Sequence, residues 1–275
     1  MTKKVAVVTG GSGVLGNEFC KALAYNGYKV AIIGRDKEKS ADLIKEIKAN
    51  NGIAIAVSAD VTDRKSLEDA AEFIEEMLGS CDLLLNGAGG NHPKGTSSEE
   101  YYSADIANKP DATSFFDLEA DGIDFVFRLN FMGTLLPCQV FGKQMLGKTD
   151  ATIINISSMS ALCPLTKIPA YSAAKAAINN FTQWLAVHFA KTNIRVNAIA
   201  PGFFLTQQNY KLLKTDDGSW TSRAEKIIAH TPMARFGEAH ELVGTLLWLA
   251  DSRASGFVNG VVIPVDGGFA AYSGV

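Results

Sequence analysis

No stretch of this 275-residue sequence reaches 18 apolar residues, so nothing in it reads as a membrane span. Runs of basic residues are also missing, and the net charge of −3 excludes the electropositive footprint of a nucleic-acid binder. Cysteine is sparse: Cys20, Cys81, Cys138 and Cys163 stand apart, with no C-x-x-C. That spacing excludes the usual dithiol and zinc motifs and reads as reduced, buried thiols of a cytoplasmic protein. The opening M-T-K-K-V-A-V-V-T-G has too short an apolar run for a signal peptide. Neither an internal repeat nor a linker divides the chain, and no metal site is called for. With 47% hydrophobic residues there is enough apolar material for a large core, so we expect one α/β domain over 1–275.

What is present begins with a short Val-rich run, Val5–Thr9, of the kind that forms a buried parallel strand. Gly10, Gly11, Ser12, Gly13, Val14, Leu15 and Gly16 follow, and then a helix-compatible segment. Glycines at a strand-to-helix turn allow positive φ and let backbone N–H groups approach a diphosphate, helped by the helix dipole. Gly11, Gly13 and Gly16 fit G-x-G-x-x-G in the right setting.

The alternation then repeats. Strands are expected at Lys29–Gly34, Ile53–Ser58 and 83–85, with helices over 40–50 and 66–78 between and after them. This is the pattern of a doubly wound parallel sheet of Rossmann type, with helices on both faces. At the end of the second strand an acid would bind the ribose hydroxyls of NAD, whereas arginine accommodates the 2′-phosphate of NADP. Gly34 followed by Arg35 favours NADP over NAD, while Asp36 counts the other way.

Residues 90–116 change character: they are polar and irregular, and read either as a ligand-contacting insertion or as a surface segment. A long helix is expected over 123–145, a strand over 194–200 and a closing strand over 256–264. Between the last two, 203–225 has no clean period and reads as a cap.

The stretch 153–175 carries the chemistry. An apolar run at Ile153, Ile154 and Ile156 ends in Ser157 and Ser158, and a helix begins near Tyr171. Tyr171 and Lys175 share a helix face, where an ammonium lowers the pKa of a nearby phenol. Such a tyrosine can give or take a proton near neutral pH.

At these residues the chain resembles the short-chain dehydrogenase/reductase family, from Val5 to Gly268. Its Ser…Tyr-x-x-x-Lys set matches Ser158, Tyr171 and Lys175, and Asn130 matches the fourth member. The glycine turn matches at Thr9, Gly10 and Gly16, with Val14 where a glycine is usual. Asn86, Gly87, Ala88 and Gly89 stand for the family's N-N-A-G. The resemblance implies cofactor contacts at these two turns, at Asp60 and Val61 by the adenine, and at Pro201, Gly202 and Thr206 by the nicotinamide. It implies an NADP- or NAD-dependent enzyme converting a carbonyl to an alcohol or back, and commonly a homotetramer. The N-G-A-G-G-N-H-P stretch and the insertion resemble the D-mannonate oxidoreductase-like members, so Asn91, His92, Lys94 and Gln207, with Lys167, are expected near a sugar acid such as fructuronate. Gluconate 5-dehydrogenases and 3-oxoacyl reductases share the general motifs, and a non-catalytic dinucleotide sensor is the remaining reading.

Overall fold

Strands β1 (Val5–Thr9), β2 (Lys29–Gly34), β3 (Ile53–Ser58), β4 (Leu83–Asn86), β5 (Ala151–Ile156), β6 (Ile194–Pro201) and β7 (Val262–Val265) form one parallel sheet in the order β3-β2-β1-β4-β5-β6-β7. The computed structural model describes residues 3–109, 111–206 and 209–274. Helices are α1 (Val14–Tyr25), α2 (Ala41–Ala49), α3 (Arg64–Leu78), α4 (Ala120–Phe127), α5 (Gly133–Met145), α6 (Pro169–His188), α7 (Tyr210–Leu213), α8 (Ser222–Ala229) and α9 (Val243–Ala250).

Strand residues alternate between two cores because successive side chains point to opposite faces. Val5, Val7 and Leu84 join Ile74 of α3 and Phe141 of α5 on one side. Ala6, Val8, Leu83 and Leu85 join Phe19 of α1, Ile47 of α2 and Leu249 of α9 on the other. Each such Leu, Ile or Phe contributes about 1.5–3 kcal/mol by leaving water. Strand order reverses between β1 and β4, so the loops after those strands diverge and leave a crevice at their carboxyl ends.

Three expectations are revised. The helix expected over 123–145 is broken: α4 ends, a π turn spans Arg128–Met132, and α5 resumes. The cause is Asn130, whose Nδ2 donates to Val126 O at 2.8 Å and takes the carbonyl that an α-helical N–H would use. The closing strand is shorter than 256–264. Asn259 Oδ1 accepts from Val196 N at 2.9 Å and Asn197 Oδ1 from Val261 N at 3.1 Å, so ahead of β7 side chains share the pairing with the backbone bonds Gly260 N to Val196 O and Ala198 N to Val261 O, both at 2.8 Å. α6 starts at Pro169, whose fixed φ suits a first helical position.

Residues 90–116 fold back on themselves. Ser98 N donates to Thr113 O and Thr113 N to Ser98 Oγ, both at 2.8 Å, while Ser97 N reaches Lys167 O ahead of α6. Glu100 pairs with Lys226 of α8. The irregular region after β6 packs Leu213, Ala224 and Phe236 with Trp220 and extends through α8, beyond residue 225. No helix among the described residues is long and apolar enough to cross a membrane.

Candidate active site

A cleft of about 610 Å³ runs along the carboxyl ends of the strands, from the turn after β1 to Tyr171 and Lys175. Gly10 has φ +66°, and a Cβ there would stand 2.8 Å from the Gly87 and Ala88 backbone. A Cβ on Gly16 would lie 2.7 Å from Gly11 Cα, so only glycine lets α1 start this close to the turn. Gly13 precedes α1 with φ −77° and no side-chain cap. The first N–H groups of α1 therefore border the cleft uncapped, a setting suited to a diphosphate. Val14 opens the helix at the cleft wall, so the missing family glycine leaves the turn intact.

Of the residues expected at a cofactor, Gly10, Ser12, Gly13, Val14, Leu15, Gly16, Arg35, Asp60, Val61, Gly87, Ala88, Gly89, Pro201 and Gly202 line this cleft. Gly11, Asn86 and Thr206 do not. A Cβ on Gly11 would meet Cys20 Sγ and Ile32 Cγ2 at 2.9 Å, so it faces the core. Asn86 is buried, and its Nδ2 donates to Asn155 Oδ1 at 2.9 Å, linking β4 to β5. Thr206 is occupied with Asn209, whose Oδ1 accepts from Thr206 N at 2.8 Å. Arg35 is exposed at the cleft, and its guanidinium has no partner among the described residues. Asp36 turns away to accept from Glu38 N at 3.0 Å. One oxygen of Asp60 accepts from Thr62 N and Oγ1, both at 2.8 Å, bracing the turn after β3.

At the inner end, four elements meet. Lys175, 4% exposed, donates from Nζ to Ile156 O at 2.9 Å. Asn130, from the π turn, accepts at Oδ1 from Gly90 N at 3.2 Å and donates from Nδ2 to Gly90 O at 2.7 Å. Gly89 lies between them: a Cβ there would be 2.7 Å from Asn130 Oδ1 and 3.2 Å from Lys175 Nζ. Ser158 Oγ accepts from Ser160 N at 3.1 Å and Ser160 Oγ at 3.0 Å, which leaves its own proton to donate.

The electrostatics differ from expectation. Burial lowers the Lys175 pKa to about 8, since the charged form loses water. Burial raises the Tyr171 pKa, and the facing Ser158 hydroxyl pulls it part of the way back. The expected lowering by Lys175 does not contribute. Its nitrogen is aimed at Ile156 O and stands 5.6 Å from the Tyr171 ring centroid rather than at the hydroxyl.

Of the described residues expected at a substrate, only Ser158 and Tyr171 line this cleft. Lys94 is held by Glu119 at 2.7 Å and Asp121 at 3.1 Å, so its charge is already paired. Asn91 Nδ2 donates to Thr96 Oγ1 at 2.9 Å. His92 Nδ1 accepts from Lys94 N at 3.2 Å, which puts its ring proton on Nε2, and the ring lies 5.0 Å from that of Phe125. Lys167 has φ +72° in the loop before α6 and does not line the cleft. Gln207 lies outside the described residues. Sequence reading missed Phe125, Arg128 and Leu129, which do line the cleft. Their i, i+3, i+4 spacing ahead of Asn130 was the available signal.

A model of the short chain dehydrogenase family matches residues 4–217. An uncharacterized oxidoreductase of Bacillus subtilis (strain 168) is 58% identical over 272 residues, covering 99% of this chain and 96% of that one. The crystal structure of a Haemophilus influenzae protein proposed to be a D-mannonate oxidoreductase, with NAD bound, superposes with a TM-score of 0.96 at 52% identity, covering 100% of this chain and 98% of that one. A gluconate 5-dehydrogenase from Burkholderia cenocepacia, in complex with NADP and tartrate, gives a TM-score of 0.83 at 26% identity, with coverages of 99% and 97%.

The buried lysine makes a stability prediction. Between pH 8 and its ordinary value of 10.5, Lys175 is neutral in the folded chain and still protonated in the unfolded one. The unfolded state then binds the extra proton, so stability rises with pH across that window. Relative to Lys175→Met, the wild type should gain up to about 3 kcal/mol from pH 8 to 10.5, at 1.36 kcal/mol per pH unit. Denaturant titrations of both proteins at several pH values measure it; parallel curves would refute it.

Proposed function

This chain belongs to the short-chain dehydrogenase family, and from that premise we propose that it interconverts a ketone and a secondary alcohol on a sugar acid, with fructuronate and mannonate put first. It is an NAD(P)-dependent oxidoreductase. One observation carries the reading: the cleft that begins at the uncapped start of α1 is continuous with the proton-bearing group at Tyr171.

When bound, the nicotinamide supplies or accepts the hydride. Gly10, Ser12, Gly16 and the first turn of α1 would hold its diphosphate, with Asp60 and Val61 at the adenine. Ser158, whose proton is not taken by Ser160, donates to the substrate oxygen and stabilises charge as it develops. Tyr171, a phenol whose pKa burial raises further, carries a proton at neutral pH, which suits a general acid in reduction. As that proton leaves, the Lys175 ammonium favours the phenolate, and it is charged below about pH 8. Asn130, tied twice to Gly90, holds the floor beside Lys175 and completes the proton path.

Three things support a sugar acid. The Haemophilus relative is proposed to act on mannonate, and the Burkholderia relative, a gluconate dehydrogenase, was solved with tartrate. His92 offers an Nε2 proton beside Phe125, which lines the cleft. Lys94, already paired, is better read as bracing the segment than as anchoring a carboxylate. At the adenosine end, Gly34, the unpartnered Arg35 and the averted Asp36 favour NADP(H). NAD(H) is the second reading, favoured by the NAD bound to the Haemophilus relative.

For the assembly we propose a homotetramer. On α6, Trp184 is 57% and Val187 78% exposed, more apolar surface than a solvent-facing helix usually carries. The four free thiols support a reducing, cytoplasmic setting.

Tyr171→Phe should keep cofactor binding and lose about 10²-fold or more in turnover. In the wild type, kcat/KM for fructuronate should exceed that for simple ketones and acyl thioesters by at least about tenfold, or about 1.4 kcal/mol. Equal rates would leave a generic carbonyl reductase, and cofactor binding without any turnover would leave a sensor. Arg35→Ala should weaken NADP(H) by about 1–3 kcal/mol and spare NAD(H). A wild-type preference for NAD(H) would select the second reading. Light scattering at micromolar concentration should give four subunits; a monomer would contradict the assembly.

A further inference from the structure

Three consecutive residues at the end of β5 each meet α6. Ile156 gives its carbonyl to Lys175 Nζ at 2.9 Å, and Ser158 faces Tyr171. Between them Ser157, 2% exposed, donates from Oγ to Asn179 Oδ1, with Lys175 O also within reach at 3.4 Å. Tyr171, Lys175 and Asn179 stand at i, i+4 and i+8, one stripe along the helix. The backbone of Ser157 is anchored in turn, since its N–H donates to Ile199 O of β6 at 2.8 Å.

An apolar residue at 179 would pack against β5 just as well, but it would leave α6 free to rotate or slide by a fraction of a turn. A hydroxyl with one proton, aimed at one amide oxygen, removes that freedom. Lys175 has no other hydrogen-bond partner than Ile156 O among the described residues, so its depth depends on the register of α6 against β5. Asn179 does not line the cleft, so any effect it has on the chemistry must pass through that register.

We infer that Asn179, through its hydrogen bond to Ser157, is a positioning residue of the reaction, holding the helical turn of Lys175 and Tyr171 at a set depth against Ser158. The inference rests on the reading of Tyr171 as the proton donor. The groups facing Lys175 are Tyr171 on its own helix, the Asn130 amide from the π turn and the Ile156 carbonyl from β5. Of these only Tyr171 titrates. Loosening the turn admits water to the ammonium and removes the cause of its lowered pKa.

The test compares wild type, Asn179→Ala, Ser157→Ala and the double variant with fructuronate and NAD(P)H, across pH 6 to 10. Misplacement of a reacting group by about 1 Å can cost about 10²-fold, so a partial loosening in Asn179→Ala should lower kcat roughly tenfold. Cofactor dissociation constants should stay within about twofold, because the phosphate turn is untouched. The double variant should be no worse than the poorer single one, since both remove the same bond. Competitive acylation of Lys175 with acetic anhydride, read by mass spectrometry, should give a midpoint near 8 in the wild type and a higher one in Asn179→Ala. A lowered melting temperature with unchanged kcat and Lys175 midpoint would overturn the inference, as would additive effects in the double variant. If Asn179→Ala does not fold, Asn179→Leu, which fills the space without an amide oxygen, carries the same comparison, because Ser157 itself lines the cleft. Should the wild type turn over no substrate, the functional reading fails, while the Lys175 midpoint still decides the positioning role.

Discussion

The buried ammonium of Lys175, held by the carbonyl of Ile156, is the contact on which the rest of the site depends. A cation taken out of water is costly unless its partners are well placed, and here one carbonyl receives it at the floor of the cleft. Its neighbours follow from it. Gly89 must be glycine, because any side chain would strike Asn130 and Lys175 together. Asn130 must leave the α-helical path, and the π turn lets its amide clasp Gly90 from both sides. The root of the 90–116 segment is thereby fastened to the same floor.

The sheet supplies the rigidity that this arrangement needs. β1, β4, β5 and β6 are buried along their length and run parallel, so the turns at their carboxyl ends emerge on the same side of the sheet. Polar side chains inside the core bind these strands together: Asn86 to Asn155, and Asn155 to Thr182 of α6 at 2.9 Å. Buried amides without partners would be destabilising, so each such bond also specifies which strand lies beside which. A cofactor-sized cleft therefore rests on a floor that does not need to form upon binding.

How much of this was legible in the sequence depends on the range of the physics involved. Val5–Thr9 with the glycines after it, and Tyr171 with Lys175, are local patterns whose spacing already implies the turn and the shared face. The break at Asn130 was not legible, because a run of apolar residues does not reveal that one side-chain amide will take the Val126 carbonyl. Lys94 reads as a free cation until the fold brings Glu119 and Asp121 to it. Gly11 and Asn86 sit inside motifs yet face the core, since a motif gives the path of the backbone and not the direction of each residue. The pKa of Tyr171 depends on burial and on where Lys175 Nζ points, and neither is a property of sequence spacing.

Sites built on strand ends and on one long helix hold the reacting groups in advance, whereas recognition of the substrate falls to segments that cross the surface. The 90–116 segment touches the loop before α6 through Ser97 and touches α8 through Glu100 and Lys226. A crystal structure of the ternary complex with reduced cofactor and a slowly turned-over sugar acid would test the account most directly. It should have the diphosphate against Gly10–Gly16 and the substrate's reacting oxygen within hydrogen-bond distance of both Tyr171 Oη and Ser158 Oγ. A reacting oxygen held by other groups, with Tyr171 turned away from it, would contradict the account.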